Sequence, residues 1–238
     1  MRKRAALTSV LTVGAFLFCS VANAASIPAS GVSNGFKFDH RPNGSLEILG
    51  CEKECPATVT VPQHLTRTGN QNVVAIGDLA FTEGNGFTQK SKNINLPSTI
   101  EYIGIRAFEY SNLEKFIAPR NLYRIDGRAF FRSVNLKSIT LNSKLEIIQD
   151  EAFSHLGSLT SLTIPDSVSY LGDGVLSWGA LKSLRLPSNL YDFKASMLDP
   201  QLRLESISMG RPAAAVSVSD NAVYTQHGKV LAYVARNY

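Results

Sequence analysis

Two short apolar patterns alternate along the chain from about residue 74. The first pattern, Ile-Gly-x-x-Ala-Phe, begins at Ile76 and Ile103, is echoed without the second-position Gly at Ile125 and Ile148, and has a weaker copy at Leu171. The second, Leu-x-x-Leu-x-Leu, follows at Leu113, Leu136, Leu159 and Leu181, with partial copies at Ile94 and Leu204. Its alternating apolar positions predict a strand with one buried face. The first pattern is too short for an ordinary helix and predicts a turn with a brief helical or 3₁₀ stretch.

The patterns recur at a nearly constant period. The Phe-type positions are residues 81, 108, 130, 153 and 176, so the spacings are 27, 22, 23 and 23. A single unit of about 23 residues cannot bury its own apolar face, whereas stacked units merge their faces into one core. The period therefore predicts a solenoid with a parallel sheet of about six or seven short strands, connected by turns or short helices.

The two ends of this array have the patterns of β-hairpins. Phe36–Phe38 and Leu46–Ile48 alternate as strands on either side of the turn signal Arg41-Pro42-Asn43-Gly44. Val216–Val234 predicts a closing hairpin with its turn at residues 226–228, and residues 25–35 are expected to be a flexible leader. Such hairpins would cap the open ends of a parallel sheet, which otherwise exposes strand edges.

The combination of the two patterns resembles the BspA-like leucine-rich repeats of bacterial surface and secreted proteins, over roughly residues 46–234. The resemblance implies a leucine-rich repeat solenoid, strand-dominated and of the α/β type, that acts in adhesion or protein binding. It implies no catalytic residues. This chain departs from the pattern in its 27-residue first spacing and in the loss of Ala-Phe from the last two coils.

The net charge depends strongly on the first 24 residues. The whole chain of 238 residues has a formal charge of +5. Residues 1–24 begin with Arg2-Lys3-Arg4, continue with an uncharged apolar run and end with Ala22-Asn23-Ala24, as a cleavable signal peptide does. The run is shorter than the roughly 20 residues of a membrane span, and bulky Phe18 before Cys19 argues against lipidation. Cleavage leaves 21 cations and 19 anions, which removes most of the case for nucleic acid.

These observations predict a secreted or periplasmic protein, associated with the cell envelope and without an integral membrane segment after signal removal. The predicted organisation is a signal peptide (1–24), an N-terminal leader and cap (25–72), the repeats (73–210) and a C-terminal capping hairpin (211–238). Cys51 and Cys55 would remain in the mature chain. Export favours a disulfide between them, which would pin a local turn. The alternative is half of a metal site, although His40 and His64 do not complete a familiar zinc spacing.

The sequence contains no motif of a catalytic, cofactor-binding or metal-binding site, and we expect no enzymatic activity and no cofactor. The four histidines, His40, His64, His155 and His227, are expected in exposed loops. Trp178 is expected to pack in the core or on its shoulder. A column of tyrosines, Tyr102, Tyr123, Tyr170 and Tyr191, is interpreted as structural.

The remaining candidate surface is the exposed face of the repeated strands. Stacking would align Ser and Thr residues there with four cations, Lys115, Lys137, Lys182 and Arg185, which are the predicted protein-binding residues. We therefore expect an exported, non-enzymatic protein that recognises a protein or surface glycan through this face. Three alternatives stay open: a solvated face without a ligand, an envelope scaffold or assembly accessory protein, and a hydrolase with an unrecognised site.

Overall fold

The computed structural model describes residues 30–234 except 67, 70, 83–84, 192, 199–201, 212–215 and 226–230. The predicted signal peptide and the predicted turn at 226–228 lie outside the described residues. The strands in chain order are β1 (Ser30–Ser33), β2 (Phe36–His40), β3 (Leu46–Cys51), β4 (Thr58–Thr60), β5 (Val73–Ile76), β6 (Asn93–Asn95), β7 (Tyr102–Ile103), β8 (Lys115–Ile117), β9 (Arg124–Ile125), β10 (Ser138–Thr140), β11 (Ile147–Ile148), β12 (Ser161–Thr163), β13 (Tyr170–Leu171), β14 (Ser183–Leu186), β15 (Ser206–Met209), β16 (Val216–Ser219), β17 (Ala222–Thr225) and β18 (Leu231–Val234).

Most coils of the solenoid contribute one strand to each of two parallel layers, whereas the coils of β14 and β15 contribute a strand to the first layer only. The layer that we call the Leu sheet contains β4, β6, β8, β10, β12, β14 and β15, with parallel pairing of β4 to β6, β8 to β10, β12 to β14 and β14 to β15. Contacts between β6 and β8 and between β10 and β12 complete the stack. The predicted strands are confirmed, because these seven strands include every copy of the Leu-x-x-Leu-x-Leu pattern.

The Ile-Gly-x-x-Ala-Phe pattern forms a second parallel sheet, which the sequence did not predict. This Ile sheet contains β5, β7, β9, β11 and β13, and it aligns Ile76, Ile103, Ile125, Ile148 and Leu171 in one register. The following Ala-Phe stretch turns without becoming helical, because residues in each turn have a left-handed backbone: φ is +55° at Arg106 and +58° at Arg128. A residue at positive φ ends a right-handed helix. A short 3₁₀ helix occurs farther on, at Ala195–Met197.

The core is a continuous column of apolar side chains between the sheets. The phenylalanine rings of successive coils stack on one another, with centroids 5.4 Å apart for Phe81–Phe108, 5.0 Å for Phe108–Phe130 and 5.6 Å for Phe130–Phe153. Buried Ala107 and Ala129 precede two of these rings. The small alanine side chain lets the turn approach the core closely, and the phenylalanine that follows it fills the core.

Antiparallel strands flank the repeats at both ends. Strands β1, β2 and β3 form an antiparallel set, and β3 continues in parallel with β5, so this set is joined to the Ile sheet. The expectation of a flexible leader is wrong for Ser30–Ser33, which pair with Phe36–Asp39. At the other end β16, β17 and β18 form three antiparallel strands where a two-stranded hairpin was predicted. The domain boundaries given above remain predictions.

Candidate functional site

The exposed face of the Leu sheet carries the predicted cations. The central side chain of β8, Phe116, is buried, and its neighbours Lys115 and Ile117 point outward. Parallel pairing places Ser138 beside Lys115 and Thr140 beside Ile117. The alignment of Ser, Thr and basic side chains that the repeats predicted is therefore present on this face.

Three of the four predicted cations are held in ion pairs between coils. The Lys137 Nζ atom donates to Glu114 at 3.1 Å, and Lys92 donates to the other oxygen of the same carboxylate at 3.1 Å. Farther along the face, Lys182 Nζ lies 2.8 Å from Glu205. The hydrogen bonds from Lys92 and Lys137 hold the pKa of the Glu114 carboxyl below its ordinary value. These lysines thus neutralise the charge of carboxylates in neighbouring coils.

Arg185 is the most constrained of the predicted cations. Its Nη2 atom lies 3.1 Å and 2.9 Å from the two carboxylate oxygens of Asp166, and its Nη1 donates to the Ile164 carbonyl. The hydrogen bond from Arg185 lowers the pKa of Asp166, and hydrogen bonds from Ser188 act in the same direction. Within the described residues, Lys115 is the one member of the predicted set without an ion-pair partner. The four cations therefore do not form a common site for an anion.

A different surface gathers aromatic and basic side chains at the turn after the Phe column. We call Tyr110, Phe131, Arg132, His155 and Trp178 the aromatic ridge. Tyr110 is 53% exposed and Trp178 is 58% exposed. Of the two placements expected for Trp178, the core is therefore wrong, whereas packing on the shoulder of the core stays a prediction.

Ring contacts make the aromatic ridge continuous over four coils. Tyr110 meets Phe131 edge to face at 6.2 Å, Phe131 meets His155 at 4.8 Å, and His155 stacks on Trp178 at 6.0 Å. The Arg132 guanidinium lies 5.7 Å from the Tyr110 ring centroid and 5.6 Å from that of Phe131, within the range of a cation–π interaction. Arg128 adds a second guanidinium at 5.3 Å over Phe131.

The backbone beneath the aromatic ridge is held in an unfavourable conformation. Tyr110, Arg132, His155 and Trp178 all have left-handed backbones, with φ between +54° and +60°. Each such residue with a side chain costs roughly 1–2 kcal/mol. Hydrogen bonds between coils hold the turns, from Tyr110 N to Phe131 O at 2.9 Å, Arg132 N to Ser154 O at 3.1 Å and His155 N to Ser177 O at 2.8 Å. The same backbone conformation recurs at Leu79, Arg106, Arg128 and Glu151, so it belongs to the repeat and is not special to the aromatic ridge.

The sequence carries a signal for the aromatic ridge only through the repeat period. The left-handed members of the ridge stand two residues after the last four Phe-type positions, at 110, 132, 155 and 178. Their residue types differ, so no motif repeats, and only the repeat period aligns them. The structural interpretation of the tyrosine column stays a prediction: Tyr123, Tyr170 and Tyr191 are exposed, while half-buried Tyr102 donates to the Asp126 carboxylate.

Cys51 and Cys55 lie together at the end of β3. Both are buried, and their Cα atoms are 5.6 Å apart in a disulfide-bonded pair, a separation typical of disulfides. Oxidation of the pair in the exported protein stays a prediction. Within the described ranges, no group of three or more His, Cys, Asp or Glu side chains could hold a metal ion. No helix there is long and apolar enough to cross a membrane.

Comparison with known proteins relates the chain to bacterial leucine-rich repeat proteins. The family model for the BspA type leucine rich repeat region matches residues 75–205 in six copies. No curated protein matches the chain. A leucine-rich repeat protein of T. pallidum has a similar structure, with 24% identity, a TM-score of 0.59, and coverage of 75% of this chain and 85% of that one.

Two further solved structures share the fold. A leucine rich cell surface protein of Faecalibacterium prausnitzii is 18% identical, with a TM-score of 0.61 over 84% of this chain and 59% of that one. The pneumococcal vaccine antigen PcpA is 22% identical, with a TM-score of 0.57 over 88% of this chain and 56% of that one. The six matched copies cover more than half of the 238 residues, so the chain belongs to the BspA-type leucine-rich repeat family.

Proposed function

We propose that the chain is an exported, non-enzymatic recognition protein that binds another protein through the aromatic ridge. The observation that carries this proposal is the continuous contact of Tyr110, Phe131, Arg132, His155 and Trp178. Tyr110, Arg132 and Trp178 are exposed, and Phe131 and His155 are half-buried. Tyr, Trp and Arg are the residue types that dominate binding energy at protein interfaces. Membership of a repeat family whose proteins bind proteins supports the same role.

The chemistry of the aromatic ridge favours a partner with acidic and apolar groups. The rings offer apolar area that binding would remove from water, at about 25 cal/mol per Å². Two guanidiniums, Arg132 and Arg128, stand over these rings, although Arg128 also pairs with Glu151 at 2.9 Å. Arg132 is exposed and can pair with a carboxylate of the partner.

Export is part of the proposal. It is supported by the signal-peptide pattern of residues 1–24, which lie outside the described residues, and by the surface location given in the name of one structural relative. The exposed face of the Leu sheet is the second candidate surface. There, Lys115 is the member of the predicted set best suited to bind, because the other three cations neutralise acids of the fold.

The experiment is affinity capture with the mature protein from envelope and culture-medium extracts, followed by mass spectrometry and by measurement of the Kd for each purified partner. A ridge variant, Tyr110→Ser with Trp178→Ser, should weaken binding at least about tenfold, since each lost hot-spot side chain costs on the order of 2 kcal/mol. Lys115→Glu is the matched control for the Leu sheet face. If Lys115→Glu abolishes binding and the ridge variant does not, the binding surface is the sheet face and the ridge proposal is wrong.

The same extracts separate the alternatives of the sequence analysis. An envelope scaffold would co-fractionate with membrane complexes even when both surfaces are changed. A hydrolase would turn over a component of the extract, and that turnover would be lost on changing one polar residue. Either result would contradict the proposed role as a simple recognition protein.

A further inference from the structure

A shallow trough crosses four coils at the corner between the end of the Leu sheet and the start of the Ile sheet. Its volume is about 800 Å³, and we call it the tyrosine trough after the two rings that line it, Tyr123 and Tyr191. Between them lie Lys144, Glu146, Ser169 and Asn189. Tyr191 is 82% exposed and Tyr123 is 41% exposed. The trough shares no residue with the aromatic ridge or with the predicted cations.

The two tyrosines stand at opposite ends of one column of aligned residues. Backbone hydrogen bonds link the column coil by coil: Glu146 N donates to Tyr123 O at 2.9 Å, Ser169 N to Glu146 O at 3.0 Å, and Tyr191 N to Ser169 O at 3.4 Å. The backbones of the two tyrosines are thus three coil steps apart, about 14 Å at the usual strand spacing. The side chain of Ser169 is short, which leaves open space between the two rings.

The floor of the trough offers donors and acceptors without net charge. Lys144 and Glu146 cancel in formal charge, and Ser169 and Asn189 add a hydroxyl and an amide. Some of these groups are held in place by the fold: Lys144 Nζ donates to Asn121 Oδ1 at 3.0 Å, and Asn189 Nδ2 donates to the Asp166 carbonyl at 2.7 Å. An anionic ligand would meet the Glu146 carboxylate, and a cationic ligand would meet the Lys144 ammonium.

We propose that the tyrosine trough binds a neutral oligosaccharide of about three to four sugar units lying across the coils, the length being set by the spacing of the two tyrosines. A pyranose ring presents C–H groups on its faces, which pack on an aromatic ring, and hydroxyls around its edge, which need both donors and acceptors. Tyr123 and Tyr191 supply the two packing surfaces. The polar groups between them supply partners for the hydroxyls. This ligand and this site are separate from the protein partner and the ridge proposed above.

The test is titration of the mature protein with chitotetraose, cellotetraose and maltotetraose, and with the tetramer of galacturonic acid as an anionic probe, by calorimetry and saturation-transfer NMR. We expect at least one neutral tetrasaccharide to bind with a Kd in the millimolar range or tighter, and more tightly than the anionic tetramer. Binding of chitotetraose alone would indicate an N-acetylhexosamine polymer as the source, whereas binding of either glucose tetramer would indicate a neutral glucan.

Three variants locate the site. Tyr123→Ala and Tyr191→Ala should each weaken binding at least about tenfold, and Tyr170→Ala, which changes an exposed tyrosine outside the trough, should bind as the original protein does. The ridge variant should also bind normally, so failure of this proposal is distinguishable from failure of the proposed function. Absence of binding by all three neutral tetrasaccharides, preference for the anionic tetramer, or an equal loss in Tyr170→Ala would overturn the proposal.

Discussion

Phe130 lies at the centre of the phenylalanine column, and its truncation is the sharpest test of how the coils are held together. The ring is fully buried, and its centroid lies 5.0 Å from that of Phe108, 4.6 Å from that of Phe116 and 5.6 Å from that of Phe153. Phe130→Ala therefore removes contacts with the coils on both sides. Truncation of a buried phenylalanine costs about 3–5 kcal/mol, and the three ring contacts place Phe130 at the upper end of that range.

Phe87 provides a matched control. It is also buried, but its one ring contact within the described residues is an edge contact with Phe81 at 5.6 Å. Each ring pair contributes roughly 0.5–1.5 kcal/mol beyond buried area, so Phe130→Ala should destabilise the protein by at least about 1 kcal/mol more than Phe87→Ala. Phe130→Leu, which keeps most of the apolar volume, should cost less than half as much as Phe130→Ala.

The assay is urea unfolding followed by circular dichroism. Because repeats depend on their neighbours for stability, Phe130→Ala should also lower the apparent m-value as the two halves of the solenoid begin to unfold separately. A loss of less than about 2 kcal/mol, well below the range for a buried phenylalanine, would refute the reasoning. A loss no larger than that of Phe87→Ala would refute it as well.

Three further predictions concern the cap, the charged face and the aromatic ridge. Reduction of the Cys51–Cys55 disulfide, or its replacement by Cys51→Ser with Cys55→Ser, should cost at most about 2 kcal/mol because it closes a short loop, as measured by urea unfolding with and without reductant. Ion pairing lowers the pKa of the Glu114 carboxyl in the folded protein. The stability that the ionised carboxylate contributes is therefore present above the unfolded pKa, near the ordinary 4.5, and is lost as the pH falls through the lower folded pKa. The urea midpoint of Glu114→Gln should thus fall less on acidification than that of the original protein. Trp178→Asn should change the free energy of unfolding by less than about 1 kcal/mol, because relief of left-handed strain offsets the lost ring contact, whereas a larger loss would mean that the tryptophan is structural.

The repeat period accounts for the part of the fold that the sequence predicted. Leu136, Leu159 and Leu181 recur at spacings of 23 and 22 residues, and burial of such positions selects one register for the strands. The Ile sheet was missed because its strands are only two residues long in β7, β9, β11 and β13, too short for alternation to be visible. The Ala-Phe turns were predicted as partly helical because a positive φ at Arg106 or Arg128 has no signature in residue type.

The surface was harder to predict than the core, because its chemistry does not repeat. Lys137 and Lys182 were correctly placed on an exposed face, but their function there depends on acids one coil away, Glu114 and Glu205. The aromatic ridge has a different residue in each coil. Tyr110 and Trp178 are seen to share one surface only when the turns of successive coils are aligned by the repeat period.

The most direct test of the central claim uses Trp178, the only tryptophan in the chain, as a reporter of the aromatic ridge. Its emission is measured during titration with the captured and purified partner, together with its quenching by acrylamide. If the partner binds at the ridge, the emission maximum shifts to shorter wavelength and quenching falls several-fold at saturation. A partner that saturates the protein while Trp178 stays as accessible as in the free protein would contradict recognition through the ridge.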